Sequence, residues 1–243
     1  MEIVLSIVTV VKNTHLTLGR TLSSVLSVKR LGIEYIIVDG GSTDGTVDLI
    51  INSGKLVDKF ISEPDSGIYN AMNKGIDLAT GKYILFINGD DEIVPDGFPI
   101  VWPLLKDGKN DVVSGRTLAV DPENLHVNLI ANPWQLYFFN SIPHPSTFVL
   151  TELIKKYRFR EDLRIASDYD LFLRLFLDGH HFIKINATTA LHHRGGASAN
   201  SELSILEMDQ IRLNRLGSLR YRLLNFLWKI YRIFKLSFRS LQR

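Results

Sequence analysis

The chain has no cysteine in its 243 residues. That absence excludes a disulfide scaffold, a thiolate metal site and a cysteine nucleophile. Long apolar runs are missing too. No stretch reaches roughly 18 consecutive apolar residues, so no membrane-spanning helix is expected. The apolar opening, Met1 to Val11, has no basic segment before it and ends at Lys12 and Asn13. It reads as a buried strand and not as a signal peptide, and a cytoplasmic location is the expectation. HExxH, GxSxG and CxxC are absent, which weakens zinc-hydrolase, serine-hydrolase and redox readings. There is no internal repeat and no low-complexity segment.

Net charge is nearly absent as well, at +2 from 28 Lys/Arg and 26 Asp/Glu. The balance hides an asymmetry. From Arg212 to Arg243 there are nine Lys/Arg and no acid, a charge of +9. The other 19 basic residues and all 26 acids lie before it, giving a body of −7. An acidic body without a recognised module argues against a nucleic-acid partner. A basic tail suggests an anionic partner of its own.

What is present is ordinary globular composition, 45% hydrophobic and 22% charged. Ile3–Val11 is apolar and β-branched, as suits a strand buried on both faces. Helical spacing over His15–Val28 follows, then a strand at Ile33–Val38. A helix is expected over Ser42–Ile51, opened by Ser42/Thr43 with Asp44 in its first turn. A strand at Val57–Ile61, a helix at Ser66–Ala79 and a strand at Tyr83–Ile87 complete this half. Alternating strands and helices imply an α/β fold with a mostly parallel central sheet. Beyond Pro95 the pattern is less regular. Asp111–Val120 and Leu125–Ile130 read as paired strands, and Asn132–Pro145 as a loop region. Ser167–Leu177 reads as a helix N-capped by Ser167, and Phe182–Leu191 as a strand. A loop at His192–Asn200 and a helix at Ser201–Leu216 follow.

Ligands of such sheets gather beyond the carboxyl ends of the strands. Asn13, Asp39, Asp65 and the Asn88–Asp91 cluster fall where successive strands end, which suggests one site. Asp39, before a Gly-Gly-Ser-Thr-Asp-Gly turn, suits a base or ribose hydroxyl, or simply the opening of a helix. Asn70 and Asn73 share one face of an apolar helix. Two such amides are costly unless satisfied, by ligand or by neighbouring backbone. Adjacent acids Asp90 and Asp91 repel each other, so Mg²⁺ or Mn²⁺ completed by substrate phosphates is the natural compensation. A solvated acidic turn is the alternative. Asp168 opens a helix, where it either caps or is held ionised by the dipole. His144 lies between two prolines. His192 and His193, adjacent on a β-like segment, point to opposite faces and do not easily share one metal.

Together these motifs resemble glycosyltransferase family 2 and its GT-A nucleotide-sugar fold. The resemblance runs from about Leu5 to Ser198. It is carried by Ser6-Ile7-Val8-Thr9-Val10, by Val38-Asp39-Gly40-Gly41-Ser42-Thr43-Asp44-Gly45-Thr46, and by Asn73-Lys74-Gly75. Asn88-Gly89-Asp90-Asp91 and Ser167-Asp168-Tyr169-Asp170-Leu171 complete it. The Asp65–Asn73 stretch and Asn88 look most like small transferases of exopolysaccharide, colanic-acid-like capsule and O-antigen clusters. The resemblance implies that Thr9 and Asp39 hold the nucleoside, usually uridine, and that Asp65 and Asn73 are further donor-site positions; Asn13 and Asn88, at strand ends, are expected to bind the nucleotide-sugar with them. It implies Asp90 and Asp91 at a divalent metal and Asp168 as general base of an inverting transfer. His144, His192 and His193 are candidates for acceptor or diphosphate contact. Asn88 stands where the family usually has Asp, so it contributes no charge.

The resemblance also implies a catalytic domain over 1–216, with a nucleotide half to residue 95 and an acceptor half after it. On a helix, Arg222, Asn225, Lys229, Arg232, Lys235, Arg239 and Arg243 fall within an arc of roughly 140°. Leucines, isoleucines and phenylalanines fill the opposite side. Residues 217–243 therefore read as a basic amphipathic helix, lying on an anionic membrane surface or packed on the body. The membrane reading suits a lipid-linked saccharide acceptor and a peripheral place on the inner face of the plasma membrane. A nucleotidyltransferase would need a basic Gly-rich loop after the first strand, and Lys12-Asn13-Thr14-His15 is not one. An inactive sugar-nucleotide-binding or scaffold protein is the non-catalytic alternative.

Overall fold

A computed structural model describes residues 2–120, 126–193 and 201–228. Strands β1 (Leu5–Val11) and β2 (Ile33–Asp39) are buried along their whole length. Each needs cover on both faces, and helices supply it. Strand β3 (Lys59–Ser62) and strand β4 (Tyr83–Phe86) join them in parallel, in the order β3-β2-β1-β4. Helices α1 (His15–Val28), α2 (Thr46–Asn52) and α3 (Ile68–Leu78) are the crossovers.

The sheet continues past β4 without interruption, in the order β8-β6-β9-β5. Strand β8 (Thr147–Leu150) runs antiparallel to both β4 and β6 (Val112–Val120). Strand β9 (Phe182–His193) lies parallel to β6, and the short β5 (Glu92–Ile93) pairs antiparallel with β9. Strand β7 (His126–Ile130) pairs antiparallel with β6, as the alternation of its sequence implied. Two cores result. One face packs α3, α5 (Thr151–Tyr157) and α6 (Ser167–Leu177) on the sheet through Met72, Ile76, Ile154 and Leu171. The other packs α1 and α4 (Phe98–Asp107) through Leu18, Val25, Val101 and Leu105. Helix α7 (Ser201–Leu216) meets α6.

Three local expectations are corrected. Helix α2 starts at Thr46, not Ser42, because residues 40–45 are tied down as a loop. Gly41 and Gly45 have φ of 80° and 89° there, and Asp44 Oδ1 accepts from Thr46 N at 3.1 Å. Ser167 does not cap α6; its hydroxyl accepts from Arg160 N at 2.6 Å, and Ala166 is the capping residue. His192 and His193 belong to β9 and not to a loop, since pairing with β6 runs to Val120–His193. Residues 132–145 do form an irregular stretch, with two single 3₁₀ turns at Pro133–Tyr137 and His144–Ser146. The expected tail helix is seen over 218–228, and residues 229–243 lie outside the described residues.

One glycine is fixed by packing. A Cβ on Gly75 would collide with Val8 Cγ1, so α3 lies directly against β1. One buried acid pins the strands. Glu34, near the start of β2, accepts from Ser6 Oγ (2.6 Å), Lys59 Nζ (2.8 Å) and Thr80 N (2.6 Å). Burial opposes its charge, but these hydrogen bonds prevail and hold its pKa at about 2 instead of 4.5. The stabilisation is therefore complete above pH 4.5 and is lost as pH falls from 4.5 toward 2. Glu34→Ala, which strands several donors, is expected to cost about 3 kcal/mol in urea denaturation at neutral pH. The gap from the parent should narrow through that acid window.

Candidate functional site

The strand ends of β1 and β4, the start of α3, the 139–147 stretch and the start of α6 enclose a cavity of about 910 Å³. Val10, Val11 and Lys12 come from the end of β1. Asn88, Gly89 and Asp90 come from the turn after β4. Residues 65–69 form a second wall, and Asn140, His144 and Asp168 a third. The cavity thus sits where the parallel strands end.

Asp168 is the best-defined acid in it. Its Oδ2 accepts from Asn140 Nδ2 at 2.8 Å, and its Oδ1 from the Tyr169 amide at 2.8 Å. The Tyr69 hydroxyl stands 3.5 Å from Oδ1 and donates to the Ile165 carbonyl. Burial raises the Asp168 pKa above the usual carboxylate value, although these hydrogen bonds oppose the rise. Burial and the Asp168 charge together push the Tyr69 pKa well up, so Tyr69 stays a donor. A carboxylate at a cavity wall whose pKa burial has raised has the chemistry to accept a proton.

His144 links this wall to the β4 turn. Its Nε2 is 3.3 Å from Asn88 Nδ2 and its Nδ1 is 3.8 Å from Asp168 Oδ2. Burial lowers the His144 pKa to about 4, with the Asp91 charge opposing and His192 adding to the fall. The ring is therefore neutral at pH 7. One nitrogen carries a proton and the other is free to accept.

The two neighbouring acids separate. Asp90 lines the cavity, while Asp91 is fully buried behind it. Asp91 Oδ1 pairs with His192 Nδ1 at 2.7 Å, and His193 Nε2 pairs with Glu92 Oε1 at 2.8 Å. The two histidines thus point to opposite faces of β9, and His192 alone lines the cavity. Asp91 Oδ2 and Asn88 Oδ1 are buried oxygens without a hydrogen-bond donor. Among the described residues no group of three or more His, Asp or Glu forms a ready cation cage. The donor set, one carboxylate at the cavity backed by unpartnered oxygens, fits a hard divalent ion whose shell is finished by phosphate oxygens.

Asp65 lines the cavity, 3.7 Å from Lys12 Nζ. Its carboxylate occupies the space that a Cβ on Gly40 would need. The remaining expected ligands, Thr9, Asn13, Asp39 and Asn73, do not line this cavity. Thr9 is fully buried and accepts from Tyr35 Oη at 3.0 Å. Asp39 accepts from Gly41 N (3.1 Å), Ser42 N (3.0 Å), Ser62 Oγ (2.6 Å) and the Ser42 hydroxyl. Burial opposes its charge, yet these donors hold its pKa down. Asn13, at φ 54°, accepts from Thr43 N at 2.9 Å. Asn73 is buried and grips Phe159 through N and O, at 3.1 and 3.0 Å. It also donates to Glu161 at 2.7 Å. Phe159 in turn lines the cavity, stacked 5.5 Å from Tyr69. The spacing of Asn70 and Asn73 is thus satisfied within the chain, with Asn70 also donating to Glu161.

Sequence reasoning did not single out Asn140, which lies in an irregular Pro-rich stretch with no periodic signal. It also passed over Tyr69, whose place inside an apolar helix face was consistent with simple packing.

The family model for "Glycosyl transferase family 2" matches residues 6–170. A PGL/p-HBAD biosynthesis glycosyltransferase of Mycobacterium bovis (strain BCG / Pasteur 1173P2) is 31% identical over 179 residues. The match covers 70% of this chain and 69% of that protein. The chondroitin synthase of Pasteurella multocida (strain Pm70) is 29% identical over 188 residues, covering 71% of this chain but 19% of the synthase. Among solved structures, S. aureus TarS 1–349 in complex with UDP-GlcNAc superposes with a TM-score of 0.68 at 18% identity. It covers 89% of this chain and 72% of that one; a longer TarS chain is covered over 43%. The mannosyltransferase PcManGT from Pyrobaculum calidifontis, in complex with GDP-Man and Mn²⁺, gives 0.67 at 16% identity, over 88% of this chain and 65% of its own. These neighbours share the GT-A fold. With a family match over most of its length and the strand-end cavity that such a fold provides, the chain belongs to glycosyl transferase family 2.

Proposed function

We propose that the protein is an inverting, metal-dependent glycosyltransferase that moves a sugar from a nucleotide-sugar, a UDP-sugar in this reading, to a hydroxyl of a lipid-linked saccharide. Such a step belongs to bacterial surface polysaccharide assembly. The observation that carries the reading is the carboxylate of Asp168, its pKa raised by burial, facing the same cavity as Asp90.

In this reading Lys12, Asp65, Asn88 and Asp90 receive the donor, while Thr9, Asn13, Asp39 and Asn73 hold its platform in place. The division into a donor half to residue 95 and an acceptor half over 96–216 follows these walls. Asp90, backed by Asp91 and Asn88, would hold Mg²⁺ or Mn²⁺, which supplies charge neutralisation for a departing nucleoside diphosphate. Asp168 takes the proton of the acceptor hydroxyl as that oxygen attacks the anomeric carbon. Asn140 and Tyr69 aim the carboxylate. Neutral His144, between Asn88 and Asp168, separates the donor acids from the base without adding charge. The other carboxylates that line the cavity among the described residues, Asp65 and Asp90, go to the donor and its metal in this reading, which leaves one displacement with inversion. Presence of both Asp168 and Asp90 at the cavity favours catalysis over a binding-only role, and the family match disfavours a nucleotidyltransferase.

The basic tail supports a membrane-surface address. Residues 218–228 are helical and stack Trp228 on Phe138 at 4.7 Å, beside the cavity-lining Phe139. Leu219, Leu223, Phe226 and Leu227 stay exposed. The helix is thus docked on the body by one face and presents apolar side chains on another. No helix among the described residues is long and apolar enough to cross a membrane. In this reading the anchor is interfacial, with each basic residue worth about 1 kcal/mol at an anionic leaflet.

Asp168→Asn should fold and bind donor but lower kcat by roughly 10² or more. In the parent, kcat should rise with pH along an acid limb displaced above the ordinary carboxylate range, because only ionised Asp168 accepts a proton. Near-normal turnover by the variant would remove Asp168 from the role. Release of nucleoside diphosphate from a panel of sugar nucleotides should stop in EDTA and return with Mn²⁺ or Mg²⁺. Full activity in EDTA would dismiss the metal. Deletion of residues 218–243 should abolish co-sedimentation with anionic liposomes, and unchanged binding would refute the anchor.

A further inference from the structure

The family match ends at residue 170, but the site extends beyond it. Helix α7 touches the segment bearing Asp168 at two places. Glu207 accepts three hydrogen bonds from consecutive backbone amides, Arg164 N at 2.8 Å and Ile165 N and Ala166 N at 2.9 Å each. Ala166 caps α6, and Asp168 is the second residue of that helix. Farther along α7, Arg215 Nε donates to Asp170 Oδ1 at 3.0 Å. Asp170 is fully buried and also receives Arg174 Nε at 2.8 Å. At 100° per residue Glu207 and Arg215 lie about 80° apart around α7, close enough to grip one partner.

The loop is held from both sides. Its amides go to Glu207, while the Ile165 carbonyl accepts from the Tyr69 hydroxyl, the same group that stands 3.5 Å from Asp168. Amides ahead of a helix have no partner within it, so an outside acceptor decides where they point. Two cavity-lining residues, Ser204 and Met208, flank Glu207 on α7. A contact that served only the fold would not have to converge on the residues immediately before Asp168, nor bring its neighbours into the cavity wall.

We propose that α7 is an active-site element and that Glu207 is a positioning residue for Asp168. By fixing the amides of 164–166 it sets the direction in which α6 presents the carboxylate. The Arg215–Asp170 pair is the second anchor, and Ser204 and Met208 form the wall that the acceptor meets. The proposal rests on the transferase reading only in assigning Asp168 as the base.

The test compares the parent with Glu207→Ala and Glu207→Gln by transfer kinetics, thermal melting and hydrogen exchange. Glu207→Ala should lower kcat roughly ten- to a hundredfold while the donor KM stays within about twofold. Exchange at the amides of 164–166 should accelerate, with β1 and β4 unchanged. Glu207→Gln, whose carbonyl still accepts, should recover part of kcat. The proposal is overturned if Glu207→Ala keeps kcat within about twofold of the parent. It is also overturned if donor KM worsens in step with kcat and melting falls, because Glu207 would then support the whole fold. A parent that cleaves no donor would sink the transferase reading separately. The exchange readout would still decide the proposal, unchanged protection at 164–166 counting against it.

Discussion

A carboxylate taken out of water must be met by donors, and much of this protein is organised around that requirement. Glu34 ties β1, β2, β3 and the turn before β4 together. Asp39 gathers the loop after β2. Asp170, under Arg174 and Arg215, joins α6 to α7. These acids are saturated by their surroundings. Two others are not. Asp91 keeps a buried oxygen without a donor, and Asp168 has too few donors to offset its burial. The contrast sorts the acids by task. Saturated ones fix geometry, and undersupplied ones have capacity left for a cation or a proton.

The strand half was legible because its signals are local. Apolar β-branched runs and helical spacing placed β1, α1, α6 and α7 to within a residue or two. The errors arose where side chains compete with backbone for hydrogen bonds. Ser42 is drawn into the Asp39 loop and so does not open a helix, and Ser167 serves the Arg160 amide. Which acid of the Asp90–Asp91 pair faces the cavity could not be read from adjacency, since it depends on His192 arriving from β9 about a hundred residues later. The long-range partners of Asp39 and Asn73 were likewise invisible, because Ser62 at the end of β3 and Phe159 in a loop are brought there only by the tertiary fold.

The charge asymmetry gains a physical setting. The acids of the −7 body include those that shape the cavity. The described part of the basic tail docks through Trp228 on the aromatic stretch that leads to Asn140, a donor to Asp168. Tail and base are thus neighbours through a short run of chain.

The contact between Gly75 and Val8 has a consequence for precision. At Gly75 the helix puts no side chain of its own between its backbone and the Val8 methyl, so at that point it has no rotamer with which to adjust. The same helix carries Tyr69 toward Asp168, and the same strand delivers Val10–Lys12 to the opposite wall. At this point the two elements that carry the walls meet as backbone against methyl. A side chain added at residue 75 would have to push α3 away from β1, and with it one cavity wall from the other.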